Sequence, residues 1–169
     1  MPVVVRACTA EDYAALLVEP HPGRLAHHRA RFALQERGEG AYLLAFDADR
    51  AVGRMTLTRW SKYPQVRAAL GDFPEMNALE AHPPGRGVGS TLVPAAEAVA
   101  LSWGATAIGL AVGTDNPAAQ RLYRRLGYTD WGRGLIVDEW VETDAGGAVS
   151  VTHRDSCAYL TKGLSGMAT

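Results

Sequence analysis

Leu79-Glu-Ala-His-Pro-Pro-Gly-Arg-Gly-Val-Gly-Ser90 joins an apolar run to an amphipathic one, and its reading decides the fold. Glycines at 85, 87 and 89 carry no β-carbon, so the backbone there can turn its N–H groups toward a bound anion. From Val88 onward the apolar residues fall at 88, 92, 96, 99, 100 and 103, the repeat of one helix face. The loop therefore opens a helix, whose unpaired N–H groups and positive dipole end form a phosphate site that Arg86 strengthens. Pro94 lies inside this predicted helix, where it removes a hydrogen bond and should bend the axis.

Downstream, Thr106 to Val112 alternates Ile108, Leu110 and Val112 as a strand does. Asp115-Asn116-Pro117 starts a second helix with proline at the first helical position, and Gly127 caps its end. The spacing i, i+3, i+7 puts Asn116, Ala119 and Tyr123 on one stripe and leaves Leu122 and Leu126 on another. One stripe can pack while the other faces a ligand. The loop is not a Walker loop, because no Gly-Lys-Ser/Thr follows it. It also misses the third glycine of the dinucleotide fingerprint, and hairpins rather than βαβ units precede it.

The strand before the loop spans Glu75 to Ala81. Period-2 alternation places Glu75, Asn77, Leu79 and Ala81 on one face and Met76, Ala78 and Glu80 on the other. An extra residue in this strand would swing Glu75 away and bring Glu80 round.

At these residues the sequence resembles the GCN5-related N-acetyltransferase family. Leu79-Glu-Ala-His-Pro leading into Arg86-Gly87-Val88-Gly89 carries half of the resemblance, and Asn116-Pro-Ala-Ala-Gln-Arg-Leu-Tyr123-Arg-Arg-Leu-Gly-Tyr128 carries the other. Two departures are Pro84, where the family usually has Arg or Gln three residues before the glycine matched by Gly87, and a strand-to-loop joint about two residues short. The resemblance implies an α/β fold, a mixed and mostly antiparallel twisted sheet with helices on both faces, splayed where the strand ending at Ala81 leaves the one from Thr106.

It also implies acetyl-CoA as co-substrate, with the pantetheine arm bonded to Leu79 and Ala81, the pyrophosphate on Arg86, Gly87, Val88, Gly89 and Ser90, and Asn116 beside it. The implied reaction is direct attack of a primary amine, from a small molecule or peptide, on the thioester. An alkyl ammonium is only about one part in a thousand neutral at pH 7, so a base must take its proton. Glu75 matches the position where the family often carries that base, with Glu80, His82 or water as alternatives. Tyr123 is expected to protonate the departing thiolate. A non-catalytic acyl-CoA-binding module and a nicotinamide-binding oxidoreductase are the competing readings.

The rest of the chain bounds these readings. Its 169 residues suit one domain spanning 1–169, and 47% hydrophobic with 21% charged residues is ordinary globular composition. A formal charge of −1 argues against a nucleic-acid partner. No apolar run reaches membrane-span length and Met1-Pro-Val-Val-Val-Arg6 lacks a signal-peptide pattern, so a cytoplasmic location without a membrane partner is expected. Cys8 and Cys157 read as free thiols, no metal-ligand spacing appears, and a homodimer is left open.

Val3 to Cys8 reads as a strand, and Thr9-Ala-Glu-Asp12 as a capping box opening a helix that Pro20-His-Pro-Gly23 stops. A second helix, Arg24 to Arg37, carries Arg24, His27, His28, Arg29, Arg31 and Arg37, read first as a solvated basic face and second as a substrate-facing patch. Ala41–Phe46 and Ala51–Trp60 form an expected hairpin. Ser61 to Pro74 is a loop holding a short helix near Val66 to Leu70, and Leu135–Val141 with Val149–Leu160 form a last hairpin.

Overall fold

The computed structural model describes residues 2–18, 22–144 and 146–165. Its elements run β1 (Val4–Ala7), α1 (Ala10–Leu16), α2 (Pro22–Glu36), β2 (Gly40–Asp47), β3 (Arg50–Thr58), α3 (Pro64–Leu70) and β4 (Glu75–Ala81). They continue with α4 (Gly89–Ser102), β5 (Ala107–Gly113), α5 (Pro117–Arg125), β6 (Thr129–Asp130), β7 (Ile136–Thr143) and β8 (Val149–Gly163). The sheet order is β1-β2-β3-β4-β5-β8-β6, with β7 also paired to β8. Every pairing is antiparallel except β4 with β5.

Local sequence chemistry sets the boundaries. Thr9 Oγ1 accepts the Asp12 N–H at 3.1 Å while the Thr9 N–H donates to Asp12 Oδ2 at 2.8 Å, the reciprocal bonds of a capping box. Pro20 and His21 of the expected helix stop lie outside the described residues, and Pro22 opens α2 instead of ending α1. Asn116 caps α5, its Oδ1 accepting the Ala119 N–H at 3.2 Å, and Pro117 follows as its first residue. Helix α4 runs through Pro94, whose ring is exposed.

Alternation along the strands sorts side chains between two layers. Leu43, Ala45, Leu57, Met76, Ile108, Leu110 and Leu160 meet Leu92, Val93, Ala96 and Ala100 of α4, with Tyr123 of α5 in the same cluster. The opposite face packs Tyr42 and Leu44 against Tyr13 and Phe32 of α1 and α2, and Tyr159 against Tyr63 and Val66 beside α3. Each fully buried leucine or isoleucine contributes about 1.5–3 kcal/mol, whereas an exposed pair such as Arg37–Glu39 contributes about 0–1 kcal/mol, so the apolar layers hold the fold.

Strand β4 breaks the expected alternation. Asn77 lies opposite Thr56 and Glu80 opposite Arg54, so Ala78 and Leu79 together face the single residue Met55. Ala78 takes φ 54°, and the extra residue makes a β-bulge. The expected grouping of Glu75 with Leu79 and Ala81 is therefore corrected. Leu79 and Ala81 pack with Met76 toward α4, whereas Glu80 sits beside Arg54 and lines the same cavity as His27 and Arg31 of α2.

The bulge coincides with a split in the sheet. β4 pairs with β5 through Glu75–Gly109 and Met76–Leu110, and from Asn77 onward the two strands have no further register partners. Ala111, Val112 and Gly113 then line the opening across from Ala78 and Leu79. At the far edge, β7 and β8 extend as a hairpin whose outer half leaves Val141, Val149 and Val151 exposed.

Candidate active site

The split opens into a cavity of about 790 Å³. Leu79, Val112, Gly113, Asn116, Ala119, Leu122 and Tyr123 line one part of it. Arg24, His27, Arg31, Arg54, Lys62, Asn77, Glu80, Asp138 and Trp140 line another. An elongated ligand can thus lie between β4 and β5 while a second enters from the α2 and β7 side.

The anion-binding end starts where β4 runs into the loop. Gly87 takes φ 76°, the left-handed region that glycine occupies without penalty. At Gly89 an added Cβ would lie 2.9 Å from Leu122 Cδ2, so a small residue lets α4 and α5 approach here. Helix α4 has no side-chain cap, and its first turn makes backbone bonds from Thr91 and Leu92 to the Val88 carbonyl. Among the described residues, nothing accepts the N–H groups of Gly87, Val88, Gly89 and Ser90, the donor set a phosphate needs. Arg86 is exposed beside them. The Val88 side chain is buried in the core, so this residue offers a ligand its amide alone.

Arg125, which the sequence reading did not single out, donates from Nη2 to Ser90 Oγ at 3.2 Å. It adds a second guanidinium to the loop from the last turn of α5. Pro84, where the resemblance implies Arg or Gln, is exposed and has no donor to offer.

Tyr123 is 7% exposed and stacks edge-on against Tyr128, with centroids 5.9 Å apart. Its hydroxyl makes no hydrogen bond to any described residue, and burial pushes its pKa up to about 12. The phenol therefore keeps its proton at neutral pH, the state a proton donor requires. Asn116 and Ala119 share the cavity wall with it as the stripe predicts, but Leu122, expected on the other stripe, lines the cavity as well. The Asn116 side-chain oxygen is engaged in capping α5.

The two carboxylates of β4 differ in access. Glu75 is completely buried outside the cavity wall, accepting the Tyr159 hydroxyl at 2.7 Å and the Lys62 N–H at 3.1 Å. Burial raises its pKa, opposed by hydrogen bonds from Ser61, Tyr159 and Lys62. Glu80 lines the cavity with a side chain 41% exposed, its Oε2 2.5 Å from Arg54 Nη2. His82 approaches the same oxygen at 3.8 Å from the rim.

The basic helix divides by position. Arg24, His27 and Arg31 form an i, i+3, i+7 stripe on the cavity wall, while Arg29 is exposed and Arg37 pairs with Glu39. His28 is buried and shares a 2.8 Å hydrogen bond with the Tyr42 hydroxyl. Burial, then Arg31 and Arg54, lowers the His27 pKa to about 4, so its imidazole is neutral at pH 7. Arg54 carries a signal in the sequence, a charge set within the apolar run Val52, Met55 and Leu57. Lys62 and Asp138 pair at 2.5 Å across the cavity mouth, and no motif marks either.

A sheet split between parallel strands, with a bare helix N-terminus beside the split, makes a groove that suits an elongated ligand carrying a phosphate. A profile of the acetyltransferase (GNAT) family matches residues 10–128, and the chain belongs to that family, whose co-substrate is acetyl-CoA. No curated protein sequence matches the chain.

Its fold is similar to solved structures over nearly their whole lengths. An N-acetyltransferase from Staphylococcus aureus Mu50 superposes with TM-score 0.68 at 15% identity, covering 96% of this chain and 99% of that one. A phosphinothricin acetyltransferase from Sinorhizobium meliloti, in complex with acetyl-CoA, gives TM-score 0.66 at 17% identity over 100% and 92%. Spermidine N-acetyltransferase from Vibrio cholerae, with CoA and spermine, gives 0.64 at 16% identity over 95% of each chain. At these identities the likeness is one of fold.

Proposed function

We propose that this protein transfers the acetyl group of acetyl-CoA to the primary amine of a small molecule or peptide by direct attack inside the split-sheet cavity. The observation that carries the reading is that Tyr123, Glu80 and the β4 bulge all border one continuous cavity, with the Arg86–Ser90 loop at the end of β4.

The pantetheine arm lies along the unpaired edge at Leu79 and Ala81, and the pyrophosphate sits on the amides from Gly87 to Ser90 with Arg86 and Arg125 beside it. An amide of the bulge, freed from the ladder, polarises the thioester carbonyl. The amine nitrogen attacks that carbon, the C–S bond breaks, and the Tyr123 hydroxyl protonates the departing thiolate. Glu80, directly or through water, takes the amine proton. Glu75, for which a base role follows from the resemblance, is assigned instead to holding the Lys62 turn against Tyr159, because its carboxylate has no open path to an amine.

The test is a steady-state thiol-release assay with acetyl-CoA and a panel of amines and peptides, alongside calorimetry of CoA binding. Turnover with at least one amine class is expected. Tight CoA binding without turnover on the whole panel would identify a non-catalytic acyl-CoA-binding module instead.

A further inference from the structure

The charges around the acceptor end of the cavity do not balance. Glu80 is taken by Arg54 at 2.5 Å, Asp138 by Lys62 at 2.5 Å, and Glu139 by Arg154 at 3.2 Å. Arg31 lines this cavity and a second one of about 220 Å³ that shares Lys62 and Asn77 with it. Its guanidinium makes no hydrogen bond or ion pair to any described residue, and burial lowers its pKa. Glu39, the carboxylate in the smaller cavity, is held by Arg37 through two bonds of 3.1 Å. A partly buried guanidinium on the cavity wall, with no protein partner among the described residues, offers its donors to an anionic ligand.

We propose that the acceptor is an amine that also carries a carboxylate, a small amino acid in chemical class, and that Arg31 binds the carboxylate while the amine points at the thioester. This rests on the acetyl-transfer reading above. A carboxylate fits better than a phosphate dianion, because the single charge of one guanidinium balances a carboxylate and leaves the second charge of a phosphate uncompensated. A polyamine fits poorly. The wall carboxylates Glu80 and Asp138 are already paired with Arg54 and Lys62, and Arg31 would add a like charge beside the polyamine. Arg31 is thus a specificity-determining residue, and Trp140 of β7 lies across the same cavity.

The experiment compares kcat/KM for a panel of α-amino acids with that for their primary amides and for spermidine, in the wild type, Arg31→Gln and Arg31→Lys. In parallel, CoA-loaded protein is titrated calorimetrically with N-acetyl amino acids and with N-acetyl amino amides. A charged bond to the carboxylate predicts that acids exceed amides by about ten-fold or more in both arms. Arg31→Gln should abolish the difference and Arg31→Lys should keep part of it. The amide's amine is the less basic of each pair, so its larger neutral fraction works against this result.

Equal use of acids and amides, a preference for spermidine, or an acid preference that survives Arg31→Gln would overturn the proposal. If CoA binds and no amine is acetylated, the acetyl-transfer reading fails and the binding arm decides alone. An Arg31-dependent preference for N-acetyl acids would then uphold an anion site, and none would refute it.

Discussion

The Tyr159 hydroxyl donates a 2.7 Å hydrogen bond to Oε2 of Glu75, a carboxylate with no exposed surface. Burial is the largest influence on Glu75 and raises its pKa above the ordinary 4.5. A raised carboxyl pKa means that the folded state holds a proton the unfolded state has lost. Its stabilisation is therefore complete below about 4.5 and is lost as pH climbs through the raised value. Thermal denaturation across that range should show the melting temperature falling with pH, and Glu75→Gln should flatten the slope. An unchanged slope in the variant would remove Glu75 as its source.

His27 works in the opposite direction. Its folded pKa of about 4 lies below the ordinary 6.5, so its stabilisation is present above 6.5 and is lost as pH falls through 4. His27→Gln should make the protein less sensitive to acid in that window, as read from the same melting curves.

Glu80→Gln tests the proton acceptor. The amide still offers Arg54 an oxygen, so the fold should survive while kcat drops by about 10²–10⁴ at neutral pH and partly recovers at high pH, where free amine is plentiful. Glu75→Gln should leave kcat close to the wild-type value. The reverse pattern in a pH–rate series would return the role to Glu75.

Tyr123→Phe removes one oxygen and keeps the ring that packs on Tyr128. It should lower kcat by about 10²–10⁴ with CoA affinity unchanged in calorimetry. A wild-type kcat would rule out proton donation by this hydroxyl.

Arg86→Ala and Arg125→Ala should each weaken CoA binding by about ten-fold, with a larger loss at high salt in the wild type than in either variant. For Arg125 this tests a contact that follows from its 3.2 Å approach to Ser90. Unaltered calorimetric affinity would leave the loop amides as the anion site.

The elements were legible because each is announced locally: the Thr9 capping box, Pro117 opening α5, Gly127 closing it, and alternating apolar residues in β2, β3 and β5. The place of Tyr123 on the cavity wall was legible from its stripe with Asn116 and Ala119, although Leu122 of the other stripe lines the wall as well. The β4 carboxylates were not. Alternation presumes one residue per step, and a bulge at Ala78 is chosen by the pairing with Met55 and the loss of β5 as a neighbour, neither of which the strand's own sequence encodes. Lys62 and Asp138 escaped because they meet only when β7 folds back across the α3 end of the sheet.

Strand β8 does two jobs along its 15 residues. Cys157 to Leu160 are buried and pair with β5, while Val149 to Arg154 are mostly exposed and pair with β7, which carries Asp138, Glu139, Trp140 and Val141 on the cavity wall. From Glu139 outward the wall therefore hangs on one ladder outside the packed layers, and replacements at its exposed positions cost little folding energy. Under the acetyl-transfer reading proposed above, mutation at Trp140 or Val141 would revise the choice of amine over evolutionary time while α4, β4 and β5 keep the acetyl donor seated, so new substrates could be tried without putting the scaffold at risk.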